Sequence, residues 1–228
     1  MIISAAGPTP NVLLIHGFLR TPAQLQSWAG RIPDLGFLHL PGHGLAPAYP
    51  EVSVQTWADA LGEVIGRWPR PPLIIAESLG AILALSVPAR AVIAVEPVLS
   101  VENLWPLHRT IRNARARGAS IPPELETLFS RPFHWVLDRI SAPTLLLGGA
   151  VPLLPEREVF PEPSVLTDED FAAYAAHPLV EEAHRIAHGH TLLDHNPEGV
   201  MAASAAFMAR HGYLEGPQGP SPDHHGAS

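Results

Sequence analysis

The chain has 228 residues, 46% of them hydrophobic and 16% charged, which suits one globular domain with a sizeable core and leaves little room for a second. It contains no cysteine, which excludes disulfides, a thiol nucleophile and any cysteine-ligated metal. A formal net charge of -8 gives no attraction to phosphate backbones or anionic lipid, so nucleic acid and membrane surfaces are poor partners.

The opening residues, Met1-Ile2-Ile3-Ser4-Ala5, carry no basic region and no long apolar core. No later run approaches the roughly twenty apolar residues of a membrane span, so a soluble, cytoplasmic protein is expected. Val12 to Ile15 reads as the first buried strand, short and apolar on both faces. A helical pattern from Pro22 to Ile32 follows, then a strand at Gly36 to Leu40 and a helix at Val54 to Trp68. Leu73 to Ala76 is a third strand, Leu79 to Val87 a helix, and Ala91 to Val95 a fourth strand. After an irregular stretch, Pro97 to Ala142, a strand is expected at Thr144 to Leu147. Val151 to Glu182 again shows helical fragments and no clear strand, before a weaker strand at Ala183 to Ala187 and a closing helix at Pro197 to Arg210. Strand and helix alternate as in a doubly wound α/β fold, a mostly parallel sheet covered on both sides. Residues 1–215 then form one domain with 97–142 as a small helical cap, and the Pro-, Gly- and His-rich tail 216–228 is expected to be disordered.

Ala76-Glu77-Ser78-Leu79-Gly80 sits where the third apolar run gives way to a helix. Small residues two before and two after Ser78 let the backbone double back, and the tight turn pushes the hydroxyl clear of the sheet. A serine hydroxyl is a weak nucleophile until a base takes its proton, so a histidine is expected late in the chain. His190, in Ala187-His188-Gly189-His190 and before the closing helix, fills that place, with His188 and His195 as neighbours that compete for it. His16-Gly17-Phe18, at the end of the first strand, is a turn whose amides could face a developing negative charge.

In four ordered places, His16-Gly17-Phe18, Leu40-Pro41-Gly42-His43-Gly44, the Ser78 turn and Gly189-His190, the chain resembles the α/β-hydrolase superfamily, in particular its small serine esterases. The resemblance implies an α/β-hydrolase fold and a serine hydrolase acting on carboxylic esters or thioesters through an acyl-enzyme. It implies no cofactor and no metal, and as partner a small-molecule acyl substrate, free or carrier-bound. By position it implies an oxyanion hole made of the backbone amides of Phe18 and Leu79. The second motif is a structural loop in the family, with an acidic residue at its head where this chain has His39.

The family commonly carries its third catalytic member, a carboxylate, just beyond the strand that here is Thr144 to Leu147, yet that slot reads Gly148-Gly149-Ala150-Val151-Pro152. An acid holds the imidazole in the right tautomer, and its loss can reduce rate roughly ten-thousand-fold. Some lipases of the superfamily carry it after the preceding strand, followed by proline, which Glu96-Pro97 matches. Glu96 is therefore the preferred acid, with Glu102, then Glu156 or Glu158, as alternatives.

Other features have plainer readings. His184, His188 and His190 are close in sequence, but placed in and after a strand they need not converge on a metal. Most other histidines are expected at the surface. Glu77 should point away from the nucleophile and serve structure. Arg109, Arg112 and Arg115 make a basic stripe, either a solvated helix face or a contact for an anionic carrier. Leu104, Trp105, Leu107, Phe129, Phe133 and Trp135 either line an acyl pocket or glue the cap to the body. Two other functions share these residues: a carbon–carbon bond hydrolase or lyase on the same fold, and a non-catalytic binding protein with a decayed triad.

Overall fold

The computed structural model describes residues 1–48, 51, 53–119, 127–153 and 163–213. The tail expected to be disordered and the alternative acids Glu156 and Glu158 lie outside the described residues.

Seven strands, β1 (Ile2–Ser4), β2 (Val12–Ile15), β3 (Leu35–His39), β4 (Leu73–Glu77), β5 (Ala91–Val95), β6 (Thr144–Gly149) and β7 (Val180–Ile186), form one sheet among the described residues, in the order β1-β3-β2-β4-β5-β6-β7. All neighbours run parallel except β1, which is antiparallel to β3 with Ile2 opposite His39. Among the described residues the α-helices are α1 (Val54–Ile65), α2 (Leu79–Leu85), α3 (Trp105–Ala116), α4 (Asp168–Ala175), α5 (Leu192–His195) and α6 (Pro197–Arg210).

The central strands are continuous apolar runs because both of their faces are buried. Leu13, Ile15, Ile74, Ala76, Val92, Ala94 and Leu146 pack on one side with α1 and α2. Val12, Leu14, Leu73, Ile75, Ile93, Leu145 and Leu147 pack on the other with Trp28, Val200 and Phe207. At about 25 cal/mol per Å² of apolar surface removed from water, these two layers are the main stabilising term of the fold.

The structure departs from the sequence expectations in three places. β1 was not expected, since three half-exposed residues show no period and the strand exists through its pairing with β3. The segment expected to be helical from Pro22 to Ile32 is a 3-10 helix, Pro22–Gly30, whose buried residues Pro22, Leu25 and Trp28 recur every third residue, the period of that helix. β7 begins at Val180, inside a stretch expected to hold no strand. It is an edge strand with Glu181 and His184 exposed to solvent, and its register on β6 starts at Thr144 opposite Val180 with a bulge before Leu145. Between β5 and β6 the described residues hold α3 and the 3-10 segments Val101–Leu104, Thr127–Phe129 and His134–Arg139, without a strand. This segment is tied to the body where Asp170 of α4 accepts hydrogen bonds from Ser100 Oγ (2.8 Å) and Asn103 Nδ2 (2.7 Å), and where the Phe133 amide donates to the Leu99 carbonyl (2.8 Å). Among the described residues, no helix is long and apolar enough to cross a membrane.

His16, Ser78, Glu96, Ala150 and His190 all follow the carboxyl ends of parallel strands, the edge at which open α/β sheets form their crevices.

Candidate active site

Ser78 joins β4 to α2 with φ 57° and ψ -122°, a conformation that an L-residue holds only when its surroundings impose it. Its amide donates to the Val95 carbonyl (2.9 Å) and its carbonyl accepts from Ala81 (3.0 Å), so the turn is pinned from both sides. Close approach does the rest. A Cβ on Gly80 would lie 2.5 Å from the His16 carbonyl oxygen, and one on Gly17 would lie 3.1 Å from Ser78 Cβ. Glycine at 80 therefore lets α2 start directly beneath the β2 turn, with Ser78 facing the cavity.

His190 Nε2 lies 3.1 Å from Ser78 Oγ, and its Nδ1 lies 3.1 Å from Glu96 Oε2. In the tautomer this fixes, Nδ1–H donates to Glu96 and Nε2 accepts from the serine. Glu96 has no solvent exposure and, like Ser78, a left-handed φ (51°). Its Oε1 accepts from the Gly149 amide and Ser164 Oγ, each at 2.6 Å, and its Oε2 accepts from the Val165 amide (2.9 Å) as well as from His190. Four donors occupy the four lone-pair positions of a carboxylate. The slot in which the resemblance expects an acid has no room for one at its start. A Cβ on Gly149 would sit 2.6 Å from the Gly189 carbonyl oxygen, and one on Gly148 would sit 3.0 Å from Arg185 Nη1. The slot supplies a backbone N–H to Glu96 instead. Glu102 is exposed on the 3-10 segment Val101–Leu104.

The turn after β2 closes with the Arg20 amide donating to the Gly17 carbonyl (3.3 Å) and Leu19 at φ 59°. It is braced by three buried histidines. His16 Nδ1 donates to the Gly17 carbonyl (2.8 Å) while Nε2 accepts from the Leu40 amide (3.3 Å). His43 Nε2 accepts from the Leu19 amide (3.2 Å), and its Nδ1 donates to Pro41 (2.8 Å). His39 accepts from the Leu45 amide (3.2 Å). Each uses one nitrogen as an acceptor and so must stay neutral. Burial lowers all three pKa values, that of His16 to about 4. The loop expected from the second motif therefore holds the turn bearing Phe18. Phe18 lines the cavity beside Ser78, and Leu79 opens α2.

The Glu77 side chain lies in a buried cluster beside the cavity. It accepts from Arg20 Nη1 (3.0 Å) and from the Leu193 amide (3.0 Å), and Arg20 Nη2 lies 2.5 Å from the Asp194 carboxylate. Burial raises the Glu77 pKa, and the Arg20 guanidinium opposes that shift. Arg20, Asp194 and Ser164 went unseen in the sequence because nothing local marks them and their partners are distant along the chain. His184 pairs with Glu182 (3.0 Å) and His188 stacks on His195 (5.4 Å between centroids). Among the described residues no group of three or more His, Asp or Glu could hold a metal ion.

A cavity of about 250 Å³ opens over Ser78 and His190, with Phe18, Leu104, Leu107 and Val165 as its apolar wall. Two larger hollows of about 400 Å³ lie elsewhere, one by Phe133 and Trp135 and one by Gly149 and Arg185, and neither is lined by Ser78 or His190. Of the apolar residues between β5 and β6, Leu104 and Leu107 line the site. Phe129 packs edge-on against Phe18 (4.9 Å) and Phe133 (6.2 Å), and Trp105 lies under the Arg109 guanidinium (5.0 Å).

No protein-family model matches the chain. Among curated proteins, the pimeloyl-(acyl-carrier protein) methyl ester esterase of Chromobacterium violaceum is 29% identical over 157 residues, 62% of this chain and 56% of that protein. The enzyme of the same name from Methylococcus capsulatus is 35% identical over 91 residues, 37% of this chain and 34% of that protein. The match thus spans about half the length of the first relative (56%) and a third of the second (34%). Among solved structures, E-2-(acetamidomethylene)succinate hydrolase superposes with a TM-score of 0.71 at 16% identity, covering 91% of this chain and 94% of that one.

Proposed function

Given that this chain has the α/β-hydrolase fold, we propose that it is a serine hydrolase cleaving carboxylic ester or thioester bonds through an acyl-enzyme. The observation that carries the reading is the hydrogen-bonded chain from Ser78 through His190 to Glu96, opening on the cavity. Ser78 Oγ attacks the carbonyl carbon while His190 Nε2 takes its proton. The amides of Phe18 and Leu79 stabilise the oxyanion of the tetrahedral intermediate. Collapse breaks the bond to the leaving alkoxide or thiolate, which takes the proton from Nε2. Water then attacks the acyl group with His190 again as base, releasing a carboxylic acid and restoring Ser78. Glu96 holds the imidazole in register and stabilises its cation, and no step calls on a cofactor or metal.

A cavity of about 250 Å³ falls just under the roughly 300–1,000 Å³ usual for drug-sized ligands, which favours a short acyl chain. The names of the curated relatives point the same way, to a small acyl substrate, free or carrier-bound. In this reading residues 97–142 act as the cap, with Leu104 and Leu107 over the acyl group and Arg109, Arg112 and Arg115 of α3 as the contact for an anionic carrier. The binding-only alternative drew on the missing carboxylate after Leu147, and the contact between Glu96 and His190 supports the catalytic reading over it.

Ser78→Ala should abolish both turnover of a short p-nitrophenyl ester and labelling by a fluorophosphonate. Wild-type turnover by that variant refutes the reading.

A further inference from the structure

Glu96 is the end of a longer chain of contacts. Ser164 Oγ, itself 1% exposed, is 2.6 Å from Glu96 Oε1 and 3.2 Å from the Leu166 carbonyl, and it has one proton to give. Its two lone pairs are met by the Leu166 amide (3.1 Å) and by Arg185 Nη1 (3.2 Å). With both acceptor positions filled, the proton goes to the nearer and charged acceptor, the carboxylate.

Arg185 is itself built in. Its guanidinium stacks on Phe171 (4.5 Å to the centroid), Nη1 donates to the Gly149 carbonyl (3.0 Å), and Nη2 pairs with Asp168 (2.9 Å). A side chain on Gly148 would press on both: its Cβ would lie 3.0 Å from Arg185 Nη1 and 3.1 Å from the Phe171 ring. Gly149 meets the acid through its N–H and Arg185 through its C=O. The two glycines that replace the expected carboxylate thus make space for the group that braces its substitute.

We propose that Ser164 and Arg185 are positioning residues for the catalytic acid: Arg185 directs the Ser164 proton onto Glu96, and the braced carboxylate fixes the His190 ring against Ser78. The proposal rests on the reading of Ser78, His190 and Glu96 given above. A planar guanidinium can bridge Gly149 and Ser164 while stacked on Phe171, and a lysine ammonium cannot do all three. Among the described residues, charged groups about His190 include Glu96 and Glu77, with Arg20 and Asp194 beyond Glu77, and removing the Arg185 cation leaves the imidazolium less opposed.

The test is kcat, KM and the pH profile of kcat/KM on p-nitrophenyl acetate for wild type, Ser78→Ala, Ser164→Ala, Arg185→Gln and Arg185→Lys. Ser164→Ala should lower kcat roughly tenfold with KM nearly unchanged, the scale of one hydrogen bond to a charged group. Arg185→Gln should lower kcat similarly and move the acid limb of kcat/KM up by roughly a few tenths of a pH unit. Arg185→Lys should leave the limb in place without restoring kcat. Wild-type kcat in Ser164→Ala, or a fall in Arg185→Gln with an unmoved acid limb, overturns the proposal while an inactive Ser78→Ala leaves the triad reading standing. Wild-type turnover by Ser78→Ala overturns both. Should Arg185→Gln fail to fold, Ser164→Ala, which deletes one hydroxyl, decides alone.

Discussion

Replacing Glu96 with glutamine keeps the size of the side chain and removes its charge. The carboxylate accepts four hydrogen bonds, two at each oxygen, and a glutamine can present an oxygen to only one pair. If the amide oxygen faces Gly149 and Ser164, its NH2 meets Val165 N–H and His190 Nδ1. The ring must then accept at Nδ1 and carry its proton on Nε2, where it cannot take the proton of Ser78. If the amide is turned over, His190 is served but the Gly149 N–H faces another donor, while Ser164 swings to the Leu166 carbonyl. The first arrangement disables the base and the second strands a buried N–H at about 1–3 kcal/mol. The expected result for Glu96→Gln is a fall in kcat/KM of roughly a thousand- to ten-thousand-fold, about 4–5.5 kcal/mol of transition-state stabilisation, with a modest loss of melting temperature. Steady-state kinetics on a short p-nitrophenyl ester from pH 5 to 9, alongside thermal unfolding, read both quantities. A folded Glu96→Gln within tenfold of wild type refutes the assignment of the acid and the tautomer argument together.

Gly80→Ala should destabilise by about 3 kcal/mol or more in urea unfolding, because its Cβ would lie 2.5 Å from the His16 carbonyl oxygen, which backbone cannot evade. Ser78→Gly should be inactive yet more stable by about 1 kcal/mol, since glycine relieves the φ 57° strain, and a lowered melting temperature would contradict the stored-strain account. Arg20→Met leaves the Glu77 carboxylate buried without its cation and should cost about 3–5 kcal/mol, recovered in large part by Glu77→Gln in the double variant. His16 is held neutral in the fold, with a pKa of about 4 against 6.5 unfolded, so its contribution is complete above pH 6.5. It drains away as pH falls toward 4, by about 3 kcal/mol, with His39 and His43 adding in the same direction. Urea unfolding at several pH values measures the slope, and His16→Gln should flatten it.

Much of this was legible in the sequence because its causes are local. Val12–Ile15 and Ala91–Val95 were read to the residue, since a strand buried on both faces must be apolar throughout, whatever its neighbours. The Ser78 turn was legible for the same reason: strand, small residue, serine, glycine and helix record a steric demand met within five residues. Glu96 was legible only as a preference among four glutamates, because nothing near it announces that Gly149, Ser164, Val165 and His190 converge on it. β1 and the start of β7 depend on a partner strand, and the buried His16, His39 and His43 depend on three turns meeting, so composition and period were silent or misleading there. The sequence by itself determined the layered α/β framework and the turn that carries Ser78, because burial pattern and turn chemistry act over a few residues. Only the tertiary structure decided which carboxylate meets His190 and which groups surround it, because hydrogen bonds between groups 53 to 94 residues apart exist only once the sheet has brought their strand ends together.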